Sequence, residues 1–318
     1  IRFDKTFALV QGADNAAQFY GFNENYALQA SPRFSVIVSQ KNNIFRISAQ
    51  SAFRSPTLQN QFILLDLGPI TLRGNLDGMN NLYTLESKDA FMAHYDSTYE
   101  VNPDLLKTIE LTPIKPEQVK TVEIGYRGII KSKWYVDVDA YYSIYKNFIG
   151  EIRVVQPGGD AKAGEESGTD AILTNIYELY QMPINARQEV QSWGAGLGLA
   201  YYFSNQYTGT VNYTYADIDT SKLTDPIIPG FNTPKHKVNV GLRGNKIYKD
   251  LGFSINYQWA DKFRWESTFG DGDIPAHSVV DVQLSYEFPK INSTLRLGAS
   301  NLLDEKYFTS YGSPMIGR

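Results

Sequence analysis

Apolar and polar side chains alternate along most of this sequence with a period of two residues. Between residues 133 and 146, Val136 and Val138 alternate with Asp137 and Asp139, and the same pattern recurs in segment after segment towards the C-terminus. A period of two is typical of β-strands whose two faces meet different surroundings. The pattern therefore predicts an all-β fold in which each strand has one apolar and one polar face.

The alternation predicts about ten strands, and several exceed the five or six residues that are usual in globular proteins. They lie near residues 27–39, 43–54, 118–130, 133–149, 187–203, 206–217, 235–245, 250–262, 278–288 and 293–302. Strands that cross a bilayer need about 9 to 11 residues because they are tilted across its apolar band. The lengths therefore favour transmembrane strands, and almost no stretch shows the periodicity of a helix.

The connections alternate between very short turns and long polar segments. Short turns fall at 40–43, 131–132, 204–205, 246–249 and 289–292, and long connections at 55–117, 150–186, 218–234 and 263–277. Outer-membrane barrels have short turns at one rim and long extracellular loops at the other. A soluble sandwich, barrel or propeller is the alternative, but its loops would not sort by length along the chain.

Aromatic residues near the strand ends predict two interfacial girdles. They are Trp134, Tyr201, Tyr202, Tyr248 and Phe288 on the short-turn side, and Phe53, Phe148, Tyr215, Trp259 and Phe263 on the other.

Composition and charge exclude several further classes of protein and of functional site. No shift in composition divides the 318 residues, so we expect a single β-barrel segment over residues 1–318. The absence of cysteine excludes disulfide scaffolds and thiolate sites, and the net charge of −4 gives no basic face for nucleic acid. No run of about 20 apolar residues predicts a helical membrane span. The opening Ile1-Arg2-Phe3 has no initiator methionine or signal-like region, so we expect a fragment or a mature piece.

Several short sequence segments, in their order along the chain, resemble the barrel strands of TonB-dependent receptors. They are Phe45 to Thr57 with its phenylalanine-arginine-x-proline ending, Lys115-Pro116-Glu117 followed by Thr121 to Tyr126, Ala140 to Ile149, Thr233 to Lys237, and Asn301 to Tyr307. Each segment alone is weak evidence for the family, but together the segments extend over residues 27–307. The chain is similar to the C-terminal portion of such a barrel.

The resemblance implies a 22-stranded transmembrane antiparallel β-barrel in the outer membrane of a Gram-negative bacterium, to which this chain contributes about ten strands. It implies energy-coupled uptake of a scarce nutrient, with outer-membrane lipid, an extracellular ligand and the TonB complex as partners, and a surface lipoprotein as a further possible partner. The family also has a plug domain and a TonB box, which this chain lacks, so TonB would contact an N-terminal region outside it. The chain also stops before the aromatic last strand that the family would have. A metal chelate, a cobalamin, a glycan or a peptide could be the cargo, and a passive porin or a loop-based adhesin is the alternative function.

Catalytic chemistry has little support in the sequence, and we expect neither an enzyme nor a cofactor. The three histidines, His94, His236 and His277, lack the spacing of metal ligands. Asp137 and Asp139 are close enough for paired-carboxylate chemistry, but charged side chains are normal on the inward face of a polar barrel. We therefore interpret Glu123, Arg127, Asp137 and Asp139 as lumen-facing residues.

The candidates for ligand binding are aromatic and charged residues of the long connections and the rim, because aromatic faces stack on ligands and arginine pairs with carboxylate or phosphate. They are Arg54, Tyr83, Phe91, His94, Tyr95, Tyr99, Arg264, Trp265 and Phe269. Packing of the loops against one another explains such residues equally well. The polar, glycine-rich segment 157–170 has no apolar anchor, so we expect a mobile external loop there.

Overall fold

A ten-stranded antiparallel sheet is the largest element of the computed structural model, which describes residues 2–4, 29–267 and 270–317. Its strands lie side by side in the order in which they occur along the chain. They are β3 (Arg33–Gln40), β4 (Asn43–Arg54), β9 (Glu117–Ile130), β10 (Trp134–Lys146), β13 (Val190–Tyr202), β14 (Tyr207–Asp219), β15 (His236–Tyr248), β16 (Leu251–Ala260), β19 (His277–Phe288) and β20 (Ser293–Ala299). The ten strands predicted from the alternation are thus confirmed, with boundaries that differ by a few residues.

Two of the long connections fold together into a second sheet of six short strands. They are β5 (Leu64–Asp66), β6 (Thr71–Arg73), β7 (Met79–Thr84), β8 (Thr108–Leu111), β11 (Ile149–Pro157) and β12 (Tyr177–Asn185), in the order β5, β6, β12, β11, β7, β8. Two further pairs complete the described strands, β1 (Arg2–Asp4) with β2 (Gln29–Ser31) and β17 (Phe263–Trp265) with β18 (Gly272–Ile274). The connections predicted as loops therefore carry strands of their own.

Three α-helices also lie in these connections, α1 (Leu58–Phe62), α2 (Leu85–Thr98) and α3 (Glu166–Leu173), together with a 3-10 turn at Pro103–Leu105. A second 3-10 turn, Pro289–Ile291, lies in the short connection between β19 and β20. The expectation of almost no helix is wrong for the 14 residues of α2. This helix buries only Ser87 and Phe91, so its sequence has no apolar stripe that periodicity could detect. Thr84 caps its N-terminus by accepting a hydrogen bond from the Ser87 backbone N–H. No helix in the described part of the chain has the length and apolar character to span a membrane.

Most of the fully buried apolar residues in the described part of the chain lie in the long connections, and Val190 at the start of β13 is the one that belongs to the ten-stranded sheet. One cluster forms around Leu82, Ile152, Val154 and Met182, which are at most 1% exposed. Phe148 belongs to this cluster, so it packs inside the loop structure and is not part of an aromatic girdle. A second cluster forms between the sheet and the helices, around Tyr83, Phe91, Val155 and Ile172. Both clusters bring 55–116 and 147–189 into one packed unit.

Segment 157–170 is fixed to this unit, which contradicts the expectation of a mobile loop. The backbone N–H of Ala163 donates to Asn81 Oδ1 at 2.6 Å, and that of Gly164 donates to the Tyr83 hydroxyl at 2.7 Å. The sequence prediction rested on the lack of apolar residues within 157–170. The apolar residues that anchor the segment, Ala171 and Ile172, follow directly after it and are buried in α3.

The register of the ten-stranded sheet sorts its side chains into a polar face and an apolar face. Asp137 is opposite Arg127 on β9 and Gly198 on β13, whereas Val138 is opposite Tyr126 and Leu197. Direct cross-strand partners point to the same face, so each predicted face extends from strand to strand. The apolar face is also exposed, since Phe34, Val122, Leu284 and Leu297 are all at least 50% accessible.

Candidate functional site

Two adjoining cavities lie at the end of the ten-stranded sheet where the long connections leave it. One has a volume of 470 Å³ and the other 320 Å³, and Pro229 and Glu266 line both. We call this pair the outer cleft; its further lining includes Asp217, Phe231, Lys235, Phe263 and Arg264 in the larger cavity and Arg54, Asn60, Gly150 and Ser267 in the smaller. Aromatic rings and charged groups of both signs therefore converge on one concavity.

Asn232 and Glu266 hold two sides of the outer cleft together. The Glu266 N–H donates to Asn232 Oδ1 at 2.8 Å, and Asn232 Nδ2 donates back to the Glu266 carbonyl at 2.9 Å. The Gly230 N–H donates to Glu266 Oε2 at 3.1 Å. These bonds fix the hairpin of β17 and β18 to the connection between β14 and β15. Asn232 has a φ of 44°, a left-handed conformation that asparagine tolerates better than most residues.

Arg153 attaches the same hairpin to the loop sheet. Its guanidinium group donates to both carboxylate oxygens of Asp271, at 2.9 and 3.2 Å, and to the Ser267 carbonyl at 3.3 Å. Arg153 Nε also donates to Gln181 Oε1 at 3.1 Å, so β11 and β12 both take part. Partial burial acts to raise the pKa of Asp271, but the donors from Arg153 and the Ser267 backbone outweigh it and lower that pKa below its ordinary value.

Arg54 lies at the end of β4 and lines the smaller cavity. Its Nη2 donates to Glu117 Oε2 at 3.1 Å and to the Ile149 carbonyl at 3.3 Å. Glu117 is buried, and the same oxygen accepts the Ile149 N–H at 2.8 Å. The Arg54 side chain is nevertheless 57% exposed, so part of the guanidinium faces the cavity.

An ionic cluster occupies the polar face of the ten-stranded sheet. Arg127 Nη2 is 2.6 Å from Asp137 Oδ2, and Arg46 Nη1 is 3.5 Å from Asp137 Oδ1. Arg46 also lies 3.7 Å from Glu123 and 3.7 Å from Asp139. All four residues predicted to face the lumen therefore meet on one face, and β4 supplies the arginine that pairs with both aspartates. That this face lines a lumen stays a prediction.

The predicted ligand-binding residues separate into three groups. Tyr83 and Phe91 are at most 1% exposed and pack inside the loop structure, so packing accounts for them. His94 and Tyr95 lie in the C-terminal half of α2, and Tyr99 directly follows the helix, where it is 81% exposed and its ring lies 6.4 Å from that of Tyr95. Arg54 and Arg264 line the outer cleft, with Trp265 beside Arg264 on β17. Phe269 lies outside the described residues.

Sequence reasoning missed Arg153, Asp271 and Asn232. Residues 149–157 alternate Glu151 and Arg153 with Ile152 and Val154, which is a signal for a strand with one charged face. That signal could have identified β11 and drawn attention to Arg153. Its partner Asp271 is 118 residues away, and no local pattern predicts that pairing.

The three histidines have ordinary polar or stacking partners. His236 Nδ1 is 2.8 Å from the Tyr213 hydroxyl, His277 stacks on Tyr307 with ring centroids 4.5 Å apart, and His94 lies near Thr98. In the described part of the chain, no three histidines or carboxylates are grouped so that they could hold a metal ion.

Solved structures with the same fold include three bacterial outer-surface receptors or transporters. They are the FrpB iron transporter from Neisseria meningitidis (13% identity, TM-score 0.53, 92% of this chain and 37% of that one), the ferric-catecholate import receptor Fiu from E. coli (13%, 0.53, 89% and 32%), and the siderophore receptor PirA from Acinetobacter baumannii (14%, 0.52, 88% and 38%). This chain thus spans about a third of the length of those proteins. At this identity the likeness shows the fold alone. None of the curated proteins matches the sequence.

A family model gives the assignment that the structural likeness alone does not. The model for the β-barrel of TonB dependent receptor-like proteins matches residues 2–302, nearly the whole chain. Members of this family are outer-membrane receptors and transporters of Gram-negative bacteria. The resemblance noted in the sequence is confirmed over the same strands, and the chain belongs to the TonB-dependent receptor β-barrel family.

Proposed function

We propose that this chain supplies part of the wall and external loops of an outer-membrane barrel that imports a scarce nutrient with energy from TonB. The observation that carries the proposal is the ten-stranded sheet whose apolar face is exposed while its opposite face is polar and ion-paired. An exposed apolar surface of this extent is rare on soluble monomers, whereas lipid covers it in a transmembrane barrel. The family assignment and the similar fold of the solved iron transporter and siderophore receptor support the same function.

The outer cleft is our candidate for first contact with the ligand. It lies at the rim from which the long connections extend, which is the extracellular rim in barrels of this kind. Arg54 and Arg264 are both 57% exposed, so their guanidinium groups could pair with carboxylate or phosphate groups of a ligand. Phe231 and Phe263 add aromatic surface to the larger cavity. An anionic ligand with an apolar or aromatic part, such as a metal chelate, fits this lining best.

The surface of α2 is a second contact region in this proposal. The partly buried Tyr95 and the exposed Tyr99 form an aromatic pair at its C-terminal end, beside His94. A cobalamin, a glycan or a peptide would use such aromatic surface as readily as a chelate would. Ligand binding therefore has to be measured with variants that change only the outer cleft or only α2, so that the two regions can be distinguished.

Uptake measurements test the function. The complete polypeptide is expressed in Gram-negative cells with and without functional TonB, and import of ferric catecholate, copper ion and cobalamin is measured with radioactive label. We expect import of one of them that depends on TonB and saturates with ligand concentration. Equal, non-saturating entry of all three in both hosts would instead indicate a passive porin. Surface binding without entry would indicate an adhesin.

Two substitutions connect uptake to the outer cleft. Arg264→Gln removes a cation that has only an exposed contact with Asp273 at 3.6 Å, and should weaken ligand binding about tenfold if it meets a ligand carboxylate. Arg243→Gln serves as the matched control, because Arg243 is exposed on the polar face of β15 and does not line the outer cleft. Equal loss in both variants would argue against the cleft as the ligand site while leaving the uptake function intact.

A further inference from the structure

The short turns of the ten-stranded sheet concentrate positive charge at one rim. We define the turn rim as residues 40–43, 130–134, 203–206, 246–250 and 287–292. It contains six lysines and only two carboxylates, Asp250 and Glu287, in a chain whose net charge is −4. The lysines are Lys41, Lys131, Lys133, Lys246, Lys249 and Lys290, and all six are exposed. Only Lys246 forms an ion pair within the described part of the chain, with Glu287 at 3.0 Å.

Four of these lysines occupy a backbone conformation that does not favour them. Lys41, Lys131, Lys246 and Lys249 have φ values of 53°, 51°, 50° and 54°. Left-handed positions in tight hairpin turns are normally filled by glycine, asparagine or aspartate, because a longer side chain crowds the backbone there. Strained positions persist where the residue serves a purpose that offsets the strain. A function that requires a cation at the turn rim would explain why lysine occupies these left-handed positions.

Aromatic side chains on the apolar face form a band beside the turn rim. Ring centroids lie 4.4 Å apart for Trp134 and Tyr201, 4.7 Å for Tyr201 and Phe203, and 4.8 Å for Tyr286 and Phe288. The Lys249 Nζ also lies 5.3 Å from the ring centre of Tyr248. Aromatic rings at the edge of an apolar face, followed by lysines, are the arrangement found where a protein passes from lipid tails to headgroups.

We propose that the turn rim binds the phosphate groups of anionic phospholipids in the leaflet that it faces. This inference rests on the proposed membrane location and goes beyond it, because a barrel needs no charge preference among lipids in order to span a bilayer. A lysine close to an anionic membrane surface strengthens binding by about fivefold. Six lysines at one rim, of which five have no ion pair among the described residues, therefore select phosphatidylglycerol over a zwitterionic lipid. The aromatic band beside these lysines favours lipid over a soluble acidic partner.

Trp134 provides a local probe of the lipid at this rim. In the complete polypeptide, every tryptophan except Trp134 is replaced by phenylalanine, which within this chain affects Trp193, Trp259 and Trp265. The protein is inserted into phosphatidylcholine bilayers containing an equal fraction of either brominated phosphatidylglycerol or brominated phosphatidylcholine. Bromine quenches tryptophan only at close range. We expect phosphatidylglycerol to associate about threefold or more strongly, and the preference to fall as salt is added.

Two matched variants decide whether the turn lysines are the cause. The first combines Lys41→Asn, Lys131→Asn, Lys246→Asn and Lys249→Asn, which removes four charges while asparagine suits the left-handed positions. The second changes four exposed lysines of the long connections, Lys107, Lys115, Lys162 and Lys222, to asparagine. We expect the first variant to lose the preference for phosphatidylglycerol and the second to keep it.

The outcomes separate this inference from the proposed function. Equal quenching of Trp134 by both brominated lipids would overturn lipid selection, leave the membrane barrel intact, and assign the basic rim to a soluble acidic partner. A preference that both lysine variants lose would also overturn it, because overall charge would then be the cause. No quenching by either lipid would contradict the membrane location itself.

Discussion

Arg127 on β9 and Asp137 on β10 are direct cross-strand partners, and Arg127 Nη2 lies 2.6 Å from Asp137 Oδ2. Arg46 on β4 approaches the other oxygen of the same carboxylate, at 3.5 Å. One aspartate thus connects three neighbouring strands on the polar face. The sheet itself supplies two arginines as counter-charges to Asp137.

Asp137→Asn should lower the stability of the ten-stranded sheet more than Asp139→Asn does. The first removes the carboxylate that two arginines share, whereas the second removes only the contact of Asp139 with Arg46 at 3.7 Å. Unfolding midpoints in urea, followed by tryptophan fluorescence of the protein in lipid vesicles, provide the comparison. Identical midpoints for the two variants would show that the cluster contributes nothing to stability.

Val138→Arg should destabilise the inserted protein by about 2 to 4 kcal/mol if the residue lies near the bilayer midplane. Val138 is on the apolar face and 38% exposed, and a charge placed there would contact lipid tails. Its neighbour Asp139 is on the opposite face, so Asp139→Asn serves as the control and should insert almost normally. Equal tolerance at both positions in a membrane-insertion assay would mean that the two faces have been assigned wrongly.

Ile152→Ala should loosen the loop sheet by about 2 to 5 kcal/mol, because this side chain is fully buried in its core and the substitution leaves a cavity. The ten-stranded sheet should keep most of its stability, since the cluster around Ile152 consists mainly of residues of the long connections and, among the described residues, reaches that sheet only at Val190, Tyr145 and Ile218. Limited proteolysis of intact cells would detect faster cleavage within 55–116 and 147–189.

The matched control for that experiment is Ile255→Ala on the apolar face of β16, where Ile255 is 39% exposed. It loses the same atoms without opening a cavity in the loop core, so external cleavage should stay at the wild-type rate. Faster cleavage in both variants would show that the two sheets unfold as one unit.

Acid should release the β17–β18 hairpin through Asp271. In the folded protein the pKa of Asp271 lies below its ordinary value of 3.8. The pairing with Arg153 therefore stabilises the hairpin fully at pH values above 3.8, and this stabilisation is lost as the pH falls through the lower pKa of the folded protein. We expect the fluorescence of Trp265 to report opening below about pH 4. Asp271→Asn should remove this step at every pH, with a loss of about 1 to 2 kcal/mol.

Asp273→Asn is the control for the acid step. Asp273 is on the same hairpin but 78% exposed, and among the described residues its ion pair is with Arg264, at 3.6 Å. An acid transition that survives in Asp271→Asn and disappears in Asp273→Asn would reverse the assignment.

The sequence by itself determined the ten long strands, their two faces and the order of short and long connections. Strands whose two faces meet apolar and polar surroundings need opposite kinds of side chain at successive positions, and the alternation of residues such as Val138 and Asp139 follows from this requirement. Where a short turn such as 131–133 joins two consecutive strands, their hydrogen-bonded pairing follows with little freedom, whereas a long connection joins β4 to β9.

Only the tertiary structure decided how the long connections fold and where the outer cleft lies. The loop strands are short, and several pair with segments far away in the chain, as β6 does with β12, in parallel. Arg153 and Asp271 meet across 118 residues, and Tyr83 and Phe91 are buried in a cluster with Val155 and Ile172, which belong to a different connection. Such contacts depend on packing among several segments at once, and no single stretch of sequence carries enough of that information to predict them.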